Sequence, residues 1–193
     1  EELEASDHRK YWVTGFGQKL RMSPFNAIVA KHSLKHFGKR MQGRHKCLNY
    51  FRKRMEEEIP YLTPPYVAPH VSMGAWYGFK PLYDPAALGE LSRKDLVRAL
   101  RAEGVEVSAP SGPVLAHEPL YSDAESPLFS GLRKHQNNSE NLHAACEVEE
   151  RALSLPTFWN WERDERIIDQ YLDAFKKVGD QYLDLLQADS VRV

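Results

Sequence analysis

The chain has 193 residues, 42% of them hydrophobic and 27% charged, with 26 Lys and Arg against 27 Asp and Glu for a formal net charge of −1. That length suits one full-sized domain with room for a small extra element, and the balanced charge removes any global electrostatic case for nucleic acid or a membrane surface. No apolar run approaches the roughly 18 residues that span a bilayer, and the opening Glu1-Glu-Leu-Glu-Ala has neither the basic nor the apolar region of a signal peptide.

Residues 1–14 are polar and then aromatic (Tyr11, Trp12, Val13), too short to fold alone, and read as an arm resting on another domain. Ser23 is a natural N-cap and Pro24 a natural first helical residue. Ala27, Ala30, Leu34, Phe37 and Met41 then recur at spacings of three and four, and Leu48, Phe51, Met55 and Ile59 continue the stripe. Gly38 and Gly43 are the places where this helix would bend, and Pro60, Pro64 and Pro65 end it. Strand composition follows from Val71 to Leu82, and Asp84-Pro85 turns the chain. Ser92-Arg-Lys-Asp95 starts a helix as a capping box does, with Asp where Glu or Gln is usual; Leu96, Ala99 and Leu100 form its buried face and Gly104 closes it. Val105-Glu-Val107 reads as a short strand. Residues 110–140, rich in Ser, Pro, Gly and Asn, are too long for an idle connection and read as functional or mobile. A short helix over 141–150, a strand over Arg151–Pro156 and a final helix over about residues 162 to 187, with Ile167, Ile168, Tyr171, Phe175, Val178, Tyr182 and Leu186 at helical spacing, complete the chain. The expected fold is an α/β sandwich with a small, mostly antiparallel sheet. Cys47 and Cys146 match neither a disulfide framework nor a metal spacing, so both read as buried or inert thiols of a reducing compartment, the cytosol.

Four blocks carry a resemblance to a known family. Gly15-Phe-Gly-Gln-Lys19-Leu-Arg21-Met-Ser-Pro24 resembles the Gly-x-(Asn or Lys)-x-Arg-x-x-Pro segment by which DegT/DnrJ/EryC1/StrS aminotransferases pass from the cofactor domain into the long helix of the small domain. Tyr83 to Val105 resembles their Ser-Arg helix ending in Gly. Gly112-Pro-Val-Leu-Ala-His117-Glu-Pro-Leu-Tyr121 resembles their Pro-x-x-His-x-x-Pro-aromatic loop, and Leu153-Ser-Leu-Pro156 with the helix after it resembles their C-terminal signature. Each block alone is weak, but four in the family's order are specific.

The resemblance implies a type I aminotransferase fold of which this chain holds the C-terminal portion. Residues 1–22 would be an arm and cofactor-facing loop belonging to a missing large domain, and residues 23–193 the small domain, a long helix plus a small sheet packed by helices. It implies pyridoxal 5'-phosphate (PLP) as cofactor, held mainly by that large domain, which supplies the Schiff-base lysine, the aspartate under the pyridine nitrogen and the stacked aromatic. Lys19 would contact the cofactor phosphate across a subunit boundary, as a point charge suits a phosphate. Arg21 and His117 would face the substrate. The expected function is completion of an active site for transamination of a keto-sugar, keto-cyclitol or related ketone, with glutamate or glutamine as amino donor, a large-domain chain or homodimer mate as partner, and no catalytic lysine in this chain. The first residue is not Met, which fits a processed chain or a fragment, and alone the chain is expected not to transaminate.

Plainer readings stand beside these. Lys19 and Arg21 also read as solvated charges at a helix start, although cations are misplaced there unless an anion joins them. His117 also reads as an exposed loop histidine. His32 and His36, four apart, lack the glutamate and third ligand of a zinc site. The basic run from Lys31 to Arg54 has the composition of a nucleic-acid surface, against which stand Glu56-Glu-Glu58 and the neutral total. Asn137-Asn138-Ser139 fits a glycosylation sequon but without a secretory signal marks only a polar loop. A non-catalytic interaction subunit that keeps the small-domain fold is the competing function.

Overall fold

The computed structural model describes residues 22–110, 114 and 142–190. The chain divides into two units, residues 1–38 and 39–193. Helix α1, Pro24–Glu58, begins in the first and ends in the second.

In the first unit the described residues are the start of α1. Ser23 caps it as the sequence predicts, its Oγ accepting from the Asn26 N–H at 3.3 Å, while the Ala27 N–H reaches the Ser23 carbonyl at 3.0 Å. No acidic residue occupies the first turn. The expected buried stripe is not buried here: Leu34 and Phe37 are exposed, and so are Phe25, Ile28 and Val29. Helical spacing identifies a face that can be covered, not whether the same unit covers it. Gly38 and Gly43 do not interrupt the helix, since an α-helix tolerates an isolated glycine at a cost of about 1 kcal/mol.

The second unit holds the core. Cys47, Leu48, Phe51 and Met55 on α1 are fully buried and belong to one hydrophobic core with Ile168, Leu172, Phe175 and Val178 of α4, Trp161–Asp180. Phe51 is the hub, stacked on Phe79 with centroids 4.9 Å apart and on Phe175 at 6.3 Å, and edge-on to Phe158 and Tyr171. At a polar edge of this packing, Arg54 of α1 binds Glu58 and donates to Asp169 of α4 at 3.0 Å.

The sheet is smaller than the sequence suggests. Strands β1, Leu62–Thr63, and β2, Leu82–Tyr83, pair antiparallel, and isolated antiparallel bridges join Phe79 to Leu155, Leu82 to Ala152 and Ser108 to Ser154. The expected strand over 71–82 is therefore mostly loop. Gly74 and Trp76 both sit at positive φ, +52° and +51°, which breaks extended pairing until Phe79. Val105–Val107 forms no strand either; its pairing reduces to Ser108, which exchanges both backbone hydrogen bonds with Ser154. β1 lies where only proline-bounded chain was expected.

A 3-10 turn, Pro85–Leu88, is capped by Asp84, which realises the predicted Asp-Pro turn. Helix α2, Arg93–Ala102, matches its expected bounds closely. Its end is a Schellman motif: the Gly104 N–H reaches Arg101 O and the Val105 N–H reaches Leu100 O, each at 3.0 Å, with Gly104 at φ +89°. Helix α3, His143–Arg151, buries none of its residues fully. The last predicted helix is two, α4 and α5 (Tyr182–Ser190), separated at Gln181.

Candidate functional site

Lys19, Arg21 and His117, the three residues that the sequence assigns to cofactor and substrate, lie outside the described residues, as does nearly all of the 110–140 segment. The described residues instead show what the family-like blocks do structurally, and two features that sequence reasoning missed.

The Ser-Arg block is a structural joint. Ser92 caps α2 by accepting from the Asp95 N–H at 3.1 Å and also bonds the Asp95 carboxylate. Arg93 reaches across to α3, donating to the carbonyls of Glu149 and Ala152, and so caps that helix with a cation where its dipole favours one. The Leu153–Leu155 block forms the rung beside β2, with the Leu153 N–H on Pro81 O at 2.9 Å and the Leu155 N–H on Phe79 O at 3.0 Å. Asp164, fully buried at the start of α4, accepts from the N–H groups of Trp159 and Asn160 at 3.0 Å each and pairs with Arg163. Burial pushes its carboxyl up, but the Arg163 guanidinium and the two backbone donors prevail and hold it below the usual carboxylate range.

The first missed feature is the turn at residues 73–77. Arg44 donates to Ala75 O at 2.8 Å and His45 Nε2 bonds Gly74 O at 2.7 Å, while the Trp76 indole is buried beside Phe79. A bulky residue at positive φ costs on the order of 1–2 kcal/mol. Here the two α1 side chains and the indole hold it in place, and the adjoining Tyr77 is left fully exposed. No periodicity announces this turn, because the residues that fix it are 31 and 29 positions away in sequence.

The second is the start of α1. Phe25, Ile28, Val29, Leu34 and Phe37 are 81%, 66%, 65%, 76% and 51% exposed. Their helical positions were legible, and their exposure was not.

Other candidates resolve more simply. The His32 and His36 rings lie 4.6 Å apart, but among the described residues no group of three or more His, Cys, Asp or Glu could hold a metal. Burial, with Asp164 as the next cause, pushes the Cys47 thiol up to about 11, which makes it inert. Among the described residues no helix is long and apolar enough to cross a membrane.

Comparison with known proteins agrees with the four blocks. Residues 3–171 match the DegT/DnrJ/EryC1/StrS aminotransferase family. A search of curated proteins gives no match. Among solved structures, the fold is similar to the aminotransferase TlmJ from Streptoalloteichus hindustanus (TM-score 0.62, 16% identity, 91% of this chain and 42% of that one). It is also similar to Helicobacter pylori PseC, an aminotransferase involved in the biosynthesis of pseudoaminic acid (0.58, 18%, 86% and 40%). A third is the E. coli GDP-4-keto-6-deoxy-D-mannose-3-dehydratase with bound hydrated PLP (0.59, 18%, 89% and 40%). The chain thus spans about two fifths of the length of these three solved chains. With a family match over most of its length and this fold, the chain belongs to the DegT/DnrJ/EryC1/StrS aminotransferase family.

Proposed function

We propose that this chain is the C-terminal, small-domain part of a PLP-dependent aminotransferase acting on a keto-sugar, keto-cyclitol or related ketone, and that it completes an active site whose cofactor-bearing lysine lies outside these 193 residues. The observation that carries this reading is the span: the fold aligns with about two fifths of each solved chain, and large apolar side chains stand exposed on the helix that leads into it. PLP, when bound, acts as the electron sink for the amino-group chemistry.

The residues of this chain have narrower tasks in the proposal. Lys19 holds the cofactor phosphate as a cation, Arg21 orients an anionic or polar group of the substrate with its planar fork, and His117 offers the substrate a hydrogen bond. The fold alone does not choose the reaction, since a dehydratase shares it; the family description and the Lys19-x-Arg21 pattern favour transamination.

The test is paired and uses the complex reconstituted with a PLP-binding chain. Lys19→Ala should weaken PLP retention by roughly tenfold to a hundredfold, the value of a charge-assisted hydrogen bond of about 1.5–3 kcal/mol. Arg21→Ala should leave PLP bound and slow single-turnover transamination. Wild-type behaviour of both variants in both assays would replace this reading with that of a non-catalytic interaction subunit.

A further inference from the structure

From Ile59 through Phe79 the chain runs 21 residues without an Asp, Glu, Lys or Arg, its longest uncharged stretch. Within it, the turn at residues 73–77 is built against local preference. Gly74 and Trp76 both stand at positive φ, and for a side chain as bulky as tryptophan that conformation is an outlier with a steric cost. The Trp76 residue is 2% exposed, and its Nε1–H has no acceptor among the described residues, which is a second cost. The turn is held nonetheless, by Arg44 on Ala75 O, by His45 on Gly74 O and by the indole beside Phe79. Phe79 then enters the bridge with Leu155. Tyr77 stands between clamp and bridge, on backbone fixed from both sides, and is fully exposed. Its side chain adds no burial to the fold of this chain.

We propose that Tyr77 is a substrate contact and a specificity-determining residue of the active site that this chain helps to complete, its ring lying on the neutral, hydroxyl-bearing ring of the ketone. The proposal rests on the functional reading above for the existence of that site. Strained positions persist where the surroundings over-determine them, and they cluster at ligand sites. A contact residue has to be held to a fraction of an ångström by neighbours that are themselves locked, and Arg44, His45 and Trp76 do this for the backbone that carries Tyr77. The class of ligand follows from the side chain and its surroundings. A phenol has a flat apolar face and a hydroxyl that both donates and accepts, which suits a polyhydroxylated ring with an apolar C–H face. Neither Tyr77 nor any other side chain of residues 59–79 brings the fixed cation that a phosphate group calls for, so a charged group of the substrate falls to Arg21.

The test is nitration by tetranitromethane, mapped by peptide mass spectrometry in the complex reconstituted with a PLP-binding chain. Tyr77 should react promptly, and so should Tyr66, which is exposed on the same uncharged stretch and serves as the internal control. Saturating 2-keto-myo-inositol or UDP-4-keto-6-deoxyglucose should slow nitration of Tyr77 at least tenfold and leave Tyr66 unchanged. UDP alone, which lacks the keto ring, should protect neither. For the ketone that protects, Tyr77→Ala should raise KM at least tenfold with Tm unchanged and PLP retained, and Tyr77→Phe, which keeps the ring and loses the hydroxyl, should fall between. The proposal is overturned if neither ketone protects Tyr77, if UDP alone does, if the PLP-binding chain shields Tyr77 before any ketone is added, or if Tyr77→Ala keeps the unmodified KM. The two readings fail separately. Protection by a ketone in a complex that does not transaminate keeps the contact and removes the reaction, whereas transamination of either ketone with Tyr77 freely nitrated throughout does the reverse.

Discussion

Gly43 on α1 faces the backbone carbonyl of Trp159 so closely that a Cβ built on the glycine would lie far inside van der Waals contact distance of the oxygen. The glycine is what lets the segment before α4 lie on α1. Around the contact, Arg40 stands 5.6 Å and Arg163 6.0 Å from the centroid of the Trp159 indole. Alanine within a helix is ordinarily better than glycine by about 1 kcal/mol. Here the clash is with backbone, which cannot swing aside, so overpacking at about 1–3 kcal/mol should dominate. Gly43→Ala should lower stability in urea denaturation, and Gly38→Ala, with open space at its Cβ, should raise it slightly.

Tyr61 joins the end of α1 to α4. Its buried hydroxyl donates to Phe175 O at 2.7 Å, and burial pushes its pKa well above the ordinary tyrosine value. Tyr61→Phe keeps the ring and removes the donor, and should cost about 1–2 kcal/mol. Gly179→Ala would place a Cβ 2.8 Å from the ring edge of Tyr61 and should destabilise by a similar amount. The two together should cost less than their sum, because losing the hydroxyl frees the ring to move; a double-mutant cycle measures this.

Glu58 gives the fold a defined acid sensitivity. The hydrogen bond from Arg54, then that from Lys176, holds its carboxyl down at about 2 against an ordinary value of 4.5. A depressed carboxyl contributes stability that is whole above the unfolded value and disappears as pH falls through the folded one. The contribution should therefore be present at pH 6 and lost between about pH 5 and pH 2. Glu58→Gln should be less stable than the unmodified chain at pH 6, with the difference closing toward pH 2 in urea titrations across that range.

The two thiols should separate kinetically. Cys47 is fully buried with its pKa pushed up to about 11, and Cys146 is only half buried. Native protein should release one equivalent of chromophore promptly from an aromatic disulfide reagent, and the second only on unfolding. Cys146→Ser should abolish the fast equivalent. Prompt reaction of Cys47 would show that the packing of α1 on α4 opens readily.

The sequence by itself determined the elements whose signals are local. Ser92 and Gly104 bound α2 because a hydroxyl cap and a left-handed closing residue act within a few positions of the helix they end. The Asp84-Pro85 turn and the Ser23-Pro24 helix start are local in the same way. The family, too, was written in the order of four short blocks.

Only the tertiary structure decided which apolar face is covered and which segments pair. Phe37 and Phe51 occupy similar helical positions, yet Phe51 meets Phe79 and Phe175 while Phe37 stands exposed, because burial depends on what arrives from elsewhere in the chain. The strand expected before Leu82 reduced to a bridge at Phe79 because Arg44 and His45, 31 and 29 residues earlier, hold a turn at Ala75 and Gly74 that extended backbone cannot make. Periodicity reports the chain's own faces, and pairing and coverage are long-range choices that no local pattern encodes.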